Sequence, residues 1–204
     1  MDGLIKVGIT GCGFITRNSH VPGFAKTRKS VITGFHDIKK ELAEEAKALY
    51  LELLARNNNP VRDIASKEAN VHDEYEVMVK TVDVVDICTP PKYHLDNMDV
   101  AVKHGKHVIC EKPLAINWWS LASHQDTLRR MKSGACKFML HTQGIWHPII
   151  KAGHDLIASG EIGEVERVRM LHQGTDPKHT VALPALWDKH HGGGGALVDI
   201  GPHA

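Results

Sequence analysis

The sequence predicts an α/β protein, a parallel sheet covered by helices on both faces. Three observations carry that reading. Short apolar, β-prone runs alternate with stretches of helical period through the first two-thirds of the 204 residues. The links between them are short, as in strand–helix–strand units, whose crossovers are right-handed. The first run also closes on a glycine turn, Gly11-Cys12-Gly13, that opens a helix. In chain order the predicted strands are Leu4–Thr10, Val31–His36, Val82–Cys88, Lys106–Cys110 and Lys137–His141. Helical stretches fall near Asn18–Lys26, Lys39–Leu54, Glu74–Lys80, Leu95–His104 and Trp118–Lys132, with Trp118-Trp119 expected to cover the sheet. Leu54–Ala69 interrupts the rhythm, and Asn57-Asn58-Asn59-Pro60 reads as a helix stop and a surface loop. Beyond His141 the pattern changes: a helix over Pro148–Ser159 ends at Gly160, and Val165–His172 alternates like a strand opening a second sheet. These shifts divide the chain into units at 1–144 and 145–204, the second too small to bury a core by itself.

Composition narrows the function. Hydrophobic residues make up 42% and charged residues 24%, the balance of an ordinary globular chain rather than a disordered one. Lys+Arg 25 against Asp+Glu 24 leaves +1, so there is no electrostatic case for nucleic acid or an anionic membrane surface. No run approaches the roughly 18 uninterrupted apolar residues of a membrane span, and Met1–Lys6 shows no signal-peptide pattern. The expected location is cytoplasmic. Cys12, Cys88, Cys110 and Cys136 form no C-x-x-C pair and are expected as buried reduced thiols. The 15 histidines are scattered without zinc-site spacing, so no metal is expected.

Gly11-Cys12-Gly13-Phe14-Ile15-Thr16 is G-x-G-x-x-T rather than the full G-x-G-x-x-G. Gly11 permits the tight turn. Gly13 lets backbone N–H groups at the helix start, with Phe14 and Ile15, approach a pyrophosphate. Thr16 stands where a third small residue is usual, so the packing beneath must take a hydroxyl and a methyl. Asp37 ends the second strand about two dozen residues on, where an acid can accept both ribose hydroxyls of adenosine. It can equally cap the helix beginning at Lys39, and can play both parts. A carboxylate there repels a 2′-phosphate and favours NAD over NADP, while Lys39 and Lys40 pull the other way. Together these features predict a dinucleotide-binding Rossmann domain.

Two further motifs lie at later strand ends: Asp86-Ile87-Cys88-Thr89-Pro90-Pro91-Lys92-Tyr93-His94 and Glu111-Lys112-Pro113-Leu114-Ala115. A third, Gly192-Gly193-Gly194-Gly195-Ala196-Leu197-Val198-Asp199-Ile200-Gly201-Pro202-His203, stands near the end of the chain. Adding Ser159-Gly160-Glu161-Ile162-Gly163-Glu164-Val165, the sequence resembles the Gfo/Idh/MocA oxidoreductases along essentially its whole length. The resemblance implies a Rossmann sheet followed by the start of an α+β substrate domain. It places Thr89, Pro90 and His94 along the cofactor crevice and Glu111, Lys112 and Pro113 beside the nicotinamide. Lys112 matches the family's catalytic lysine, Asp199 its substrate-binding aspartate and His203 its catalytic histidine. The implied activity is NAD(P)-dependent hydride transfer to or from a secondary alcohol or carbonyl of a sugar or cyclitol.

The residue chemistry agrees. Oxidising an alcohol needs a base for the hydroxyl proton, a task suited to His203, and a donor to the oxygen, a task suited to Lys112. Asp199 and His203, four apart, share a face if helical, so the carboxylate can orient the imidazole or bind a substrate hydroxyl. Trp146, Lys178, His179 and Trp187 are read as packing or loop surface rather than sugar-pocket residues. Family members carry a further open sheet that forms the substrate wall and often a homo-oligomer interface. This chain stops at Ala204, so it reads as cut within that domain, the alternative being a short, non-catalytic NAD(H)-binding protein or partner subunit.

Overall fold

In the computed structural model the described residues are 3–169, with His190 and Gly201. Their strands are β1 (Ile5–Thr10), β2 (Ser30–His36), β3 (Asn70–Val71), β4 (Val84–Ile87), β5 (His107–Glu111) and β6 (Phe138–His141). All pairings are parallel, in the order β3-β2-β1-β4-β5-β6. The order reverses between β1 and β4, the topological switch point of a doubly wound sheet. Helices α1 (Val21–Phe24), α2 (Lys40–Arg56), α3 (Arg62–Glu68), α4 (Tyr75–Lys80), α5 (His94–Lys103), α6 (Trp118–Ser123), α7 (Gln125–Lys132) and α8 (Pro148–Ala158) follow. The helix that leaves the glycine turn is wound wide over Thr16–His20, where Val21 N–H donates to Thr16 O, before tightening into α1. None of these helices is long and apolar enough to cross a membrane.

Two apolar clusters hold the sheet. Val7, Ile9, Ile32 and Phe35 pack with Val21, Ala43, Tyr50 and Leu54 from α1 and α2. Met78, Val85, Ile87, Leu95, Met98 and Val108 form the other, around α4 and α5. Glycine in two strands has a packing reason. A Cβ on Gly34 would lie 2.6 Å from Met78 Cγ, and one on Gly8 3.1 Å from Met78 Cε, so α4 seats its methionine on bare backbone. The β1–β2 register slips after Val7, which pairs with Ile32, to Gly8, which pairs with Gly34, leaving Thr33 as a bulge. All four cysteines are buried and free.

Four expectations need correction. Helix α2 does stop at Asn57, with Asn58 at φ 47°, but the segment after it is not simply a surface loop. Asn59 is buried and donates to Ala25 O (3.0 Å) and Thr27 O (2.8 Å), and residues 62–68 form α3, a helix too short to show a period. The stretch Trp118–Lys132 is two helices, because His124 is drawn out of helical geometry (φ −113°) towards Asp96 on α5 at 3.1 Å. Trp118 and Trp119, 71% and 79% exposed, do not cover the sheet; Leu121 makes that contact for α6. Finally, residues 165–169 form no strand, since a strand needs a neighbour for its backbone groups and no described residue supplies one there. The remainder of that predicted strand, 170–172, lies outside the described residues.

Candidate active site

Register places the candidate residues in a row. Thr10 pairs with His36 on one side and Ile87 on the other, and Ile87 pairs with Cys110. The residues that follow, Gly11, Asp37, Cys88 and Glu111, therefore lie side by side along the carboxyl edge of the sheet. The ladder runs one step further through Gly11 N–H to His36 O (2.9 Å) and Cys88 N–H to Thr10 O (2.8 Å). Gly11 has φ 84°, and a Cβ there would sit 2.6 Å from both Cys88 C and Thr89 N. That glycine is demanded by the protein itself, by handedness and by the neighbouring strand end. Gly13 differs: a Cβ there would meet nothing among the described residues within 4 Å, so its smallness serves the outer side of the turn. Thr16 is accommodated by burial of its hydroxyl, which donates to Gly11 O and braces the turn from beneath.

Asp37 plays two structural parts at once. Its Oδ2 accepts the Cys12 N–H at 2.7 Å, inside the glycine turn, and its Oδ1 accepts the Lys39 N–H at 2.8 Å. Because α2 begins only at Lys40, with Lys39 as its first flanking residue, this second bond turns the chain before the helix and does not cap it as expected. Each oxygen keeps a further acceptor lone pair. Lys40, one of the two lysines expected to oppose the carboxylate, is instead paired with Asp73 at 2.8 Å.

Across the switch point, half-buried Thr89 and exposed Pro90 follow β4, whereas His94 is wholly buried. Its Nε2 lies 2.7 Å from Thr89 O and its Nδ1 2.8 Å from Pro113 O. His94 thus ties the Thr89 loop to the Glu111-Lys112-Pro113 turn from below. The neutral ring can donate to only one of these carbonyls; burial holds its pKa below the usual value, the carbonyls and Glu111 offsetting that only in part. Lys112 is half-buried at the end of β5, and the Lys112–Pro113 bond is cis. Asp199 and His203 lie outside the described residues.

Beneath Lys112 is a polar cluster that the sequence reading did not assemble. His20 Nδ1 lies 2.7 Å from Asp86 Oδ2, and its Nε2 lies 3.0 Å from Glu111 Oε1. Glu111 Oε1 also meets His141 Nδ1 at 2.6 Å, while its Oε2 accepts the Lys112 N–H at 3.1 Å. Cys88 Sγ is 3.5 Å from His20 Nδ1. His20, Asp86, Cys88 and Glu111 are buried. Burial alone lowers the pKa of His20, but the charge and hydrogen bond of Asp86, with Cys88 and Glu111, raise it far above the ordinary value. Burial likewise pushes Glu111 up, yet the hydrogen bonds from His141 and His20 bring it down to about 2. Burial, then the Asp86 charge, pushes the Cys88 thiol up to about 12, so it is no thiolate nucleophile at neutral pH.

His20, Glu111 and His141 offer metal-ligand atoms that all lie within 4.8 Å of one another. Ligand atoms around a tetrahedral zinc, however, sit about 3.3 Å apart. The observed 2.6 and 3.0 Å are distances of direct hydrogen bonds. Asp86 was visible as part of a motif; His20 and His141 carried no local signal, because their role exists only where three strand ends and a helix converge.

The strand order, the switch point and the glycine turn at the first strand end define a dinucleotide-binding Rossmann domain. Known proteins agree. The profile described as "Oxidoreductase family, NAD-binding Rossmann fold" matches residues 5–140, and the GFO/IDH/MocA C-terminal domain profile matches residues 150–204. The chain belongs to the Gfo/Idh/MocA oxidoreductase family. It is 31% identical over 144 residues to D-glucoside 3-dehydrogenase of Escherichia coli, covering 66% of this chain and 38% of that one. It is 29% identical to an uncharacterized protein of Saccharomyces cerevisiae, over 98% of this chain and 53% of that one. Among solved structures, an NAD binding oxidoreductase from Klebsiella pneumoniae superposes with TM-score 0.73 at 26% identity, over 99% of this chain and 51% of that one. A scyllo-inositol dehydrogenase from Lactobacillus casei with bound NAD(H) and scyllo-inositol shares the fold, with TM-score 0.63 at 23% identity over 79% and 43%. The chain thus spans about half the length, or less, of these relatives.

Proposed function

We propose that this chain is the dinucleotide-binding part, with the beginning of the substrate-binding part, of an NAD(H)-linked dehydrogenase acting on a secondary alcohol of a sugar or cyclitol. Residues 1–144 form the first unit and 145–204 open the second, whose completion would also supply the homo-oligomer interface. One observation carries the reading: the glycine turn, Asp37, Thr89-Pro90 and Glu111-Lys112-Pro113 occupy successive strand ends at the switch point, where such sheets bind ligands. The relatives named as sugar and inositol dehydrogenases supply the substrate class.

The residues fit a dinucleotide. Gly13, open on its outer side, and the N–H groups of Phe14 and Ile15 at the helix start suit a pyrophosphate. Asp37 is anchored by two backbone N–H groups with acceptor capacity left for ribose hydroxyls, and Lys40 is engaged with Asp73, which favours NAD over NADP. Ile38, 93% exposed beside Asp37, offers an apolar face to the adenine. Thr89 and Pro90 border the crevice, and His94 acts on it through the two loops it ties. A nicotinamide held there would supply the acceptor for the hydride of the carbinol carbon. Lys112 donates a hydrogen bond to the substrate oxygen as it gains alkoxide character. His203 would take the hydroxyl proton, with Asp199 orienting its imidazole or binding a substrate hydroxyl, so that loss of hydride and proton together turns the alcohol into a carbonyl.

Fluorescence titration of the chain with NADH and with NADPH tests the first part. Saturable binding with NADH preferred is the expected outcome, and binding of neither overturns it. For the second part, Lys112→Ala in a protein of full family length should abolish polyol turnover and leave NADH affinity nearly intact. Loss of both together would make Lys112 structural.

A further inference from the structure

The crevice contains a buried ionic cluster for which neither cofactor binding nor proton transfer has so far found a use. We propose that His20 is a positioning residue: held between Asp86 at the end of β4 and Glu111 at the end of β5, it fixes the Glu111-Lys112-Pro113 turn, and with it Lys112, at the switch point.

The geometry places His20 directly across that gap. It stands at the end of the wide turn Thr16–His20, on the helix that leaves the glycine turn, so it belongs to the dinucleotide side of the crevice. Asp86 and Glu111 belong to the next two strands. Both ring nitrogens meet carboxylate oxygens, at 2.7 and 3.0 Å, an arrangement in which a doubly protonated imidazole donates to each. Groups facing it from every side are Asp86, Glu111, Cys88 and the ring of His141, whose centroid lies 4.6 Å away in an edge-on contact.

The consequence reaches Lys112 through one carboxylate. Glu111 Oε1 is pinned by two imidazoles, which orients Oε2 to accept the Lys112 N–H. Without His20, Asp86 becomes a buried carboxylate lacking its imidazole partner, and Glu111 Oε1 keeps only one of its two imidazoles. The Glu111 carboxylate is then free to turn towards His141, and the hydrogen bond from the Lys112 N–H to Glu111 Oε2 is weakened. Helix and lysine turn would no longer share a pin. The proposal rests on the functional reading only in giving Lys112 a task; the pin itself is tested without turnover.

The experiment uses the 204-residue protein labelled with ¹⁵N. In the unaltered protein at neutral pH, both His20 ring nitrogens should carry hydrogen-bonded protons; a ring with one bare nitrogen overturns the proposal. In His20→Gln, hydrogen exchange at the Lys112 amide should quicken about tenfold or more, while the amides of Val7, Ile9 and Val85 in the strand centres keep their protection. Equal acceleration everywhere would make His20 merely structural, and no change at Lys112 would remove the pin; either overturns it. Should His20→Gln not fold, the ring-nitrogen measurement decides alone. Stoichiometric zinc retained after dialysis and shifting the His20 and His141 signals would recast the cluster as a metal site and also overturn it. Failure of NADH to bind a protein in which both His20 results hold would refute the functional reading and leave the pin standing.

Discussion

The two glycines of the turn make opposite demands, and a paired substitution separates them. In Gly11→Ala the new Cβ enters at φ 84°, the left-handed region, for a cost of about 1–2 kcal/mol. It also lands 2.6 Å from Cys88 C and Thr89 N, where neighbouring backbone rather than a flexible side chain must move. Relieving such an overlap costs about 1–3 kcal/mol. The expected loss is therefore about 2–5 kcal/mol, a large share of the ~5–15 kcal/mol that holds a typical domain. Gly13→Ala meets nothing within 4 Å among the described residues and has no left-handed φ, so its stability should stay within about 0.5 kcal/mol of the parent. Urea unfolding followed by far-ultraviolet circular dichroism measures both. NADH titration of the still-folded Gly13→Ala protein should show roughly tenfold weaker binding or worse, since the methyl stands where backbone must approach a pyrophosphate. Equal stability losses in the two variants would refute the division of labour, as would a Gly11→Ala protein as stable as its parent.

Three other outcomes follow from particular contacts. Thr33 is buried at the β2 bulge, and its Oγ1 finds no hydrogen-bond partner among the described residues, so Thr33→Val should raise unfolding free energy by about 1 kcal/mol in the same urea assay. Glu111 is held at about 2 against an ordinary value of 4.5; a depressed folded-state pKa stabilises above the unfolded value and is lost on acidification. Stability should thus fall by up to roughly 3 kcal/mol as pH drops from about 4.5 to about 2, and Glu111→Gln should flatten that limb. Asp37→Ala removes the acceptor of both Cys12 and Lys39 N–H groups, so it should cost about 1–3 kcal/mol and narrow or abolish the preference for NADH over NADPH in parallel titrations.

Much of the fold is legible in sequence because its signals are local. A buried parallel strand is a short apolar run, and the runs before Gly11, Asp37, Cys88 and Glu111 are long enough to be recognised without their neighbours. What escaped was structure whose cause is distant. The two-residue strand Asn70–Val71 exists only through its pairing with Gly34 and Phe35. The break at His124 comes from Asp96 on another helix, and Asn59 is buried by carbonyls more than thirty residues away. In the candidate site, the glycine turn, Asp37 and the Glu111-Lys112-Pro113 turn are contiguous motifs. Lys112 was singled out as a motif residue, but nothing local marks the residues that hold it.

By itself, then, the sequence determined an α/β sheet of known strand runs, a dinucleotide turn, an acid at the second predicted strand end and a lysine turn at the fourth. These follow from residue type and short-range pattern, which bias backbone conformation within a few positions. Only the tertiary structure decided that Gly11 answers to Cys88 and Thr89 while Gly13 faces outward, that Asp37 locks the turn it also serves, and that His94 lies beneath the crevice. It alone joined His20, Asp86, Glu111 and His141, separated by up to 121 positions, as 141 minus 20. The reason is physical: burial forces polar groups to find partners wherever the sheet brings strand ends together, and parallel register, unlike local propensity, is settled only when the whole sheet assembles.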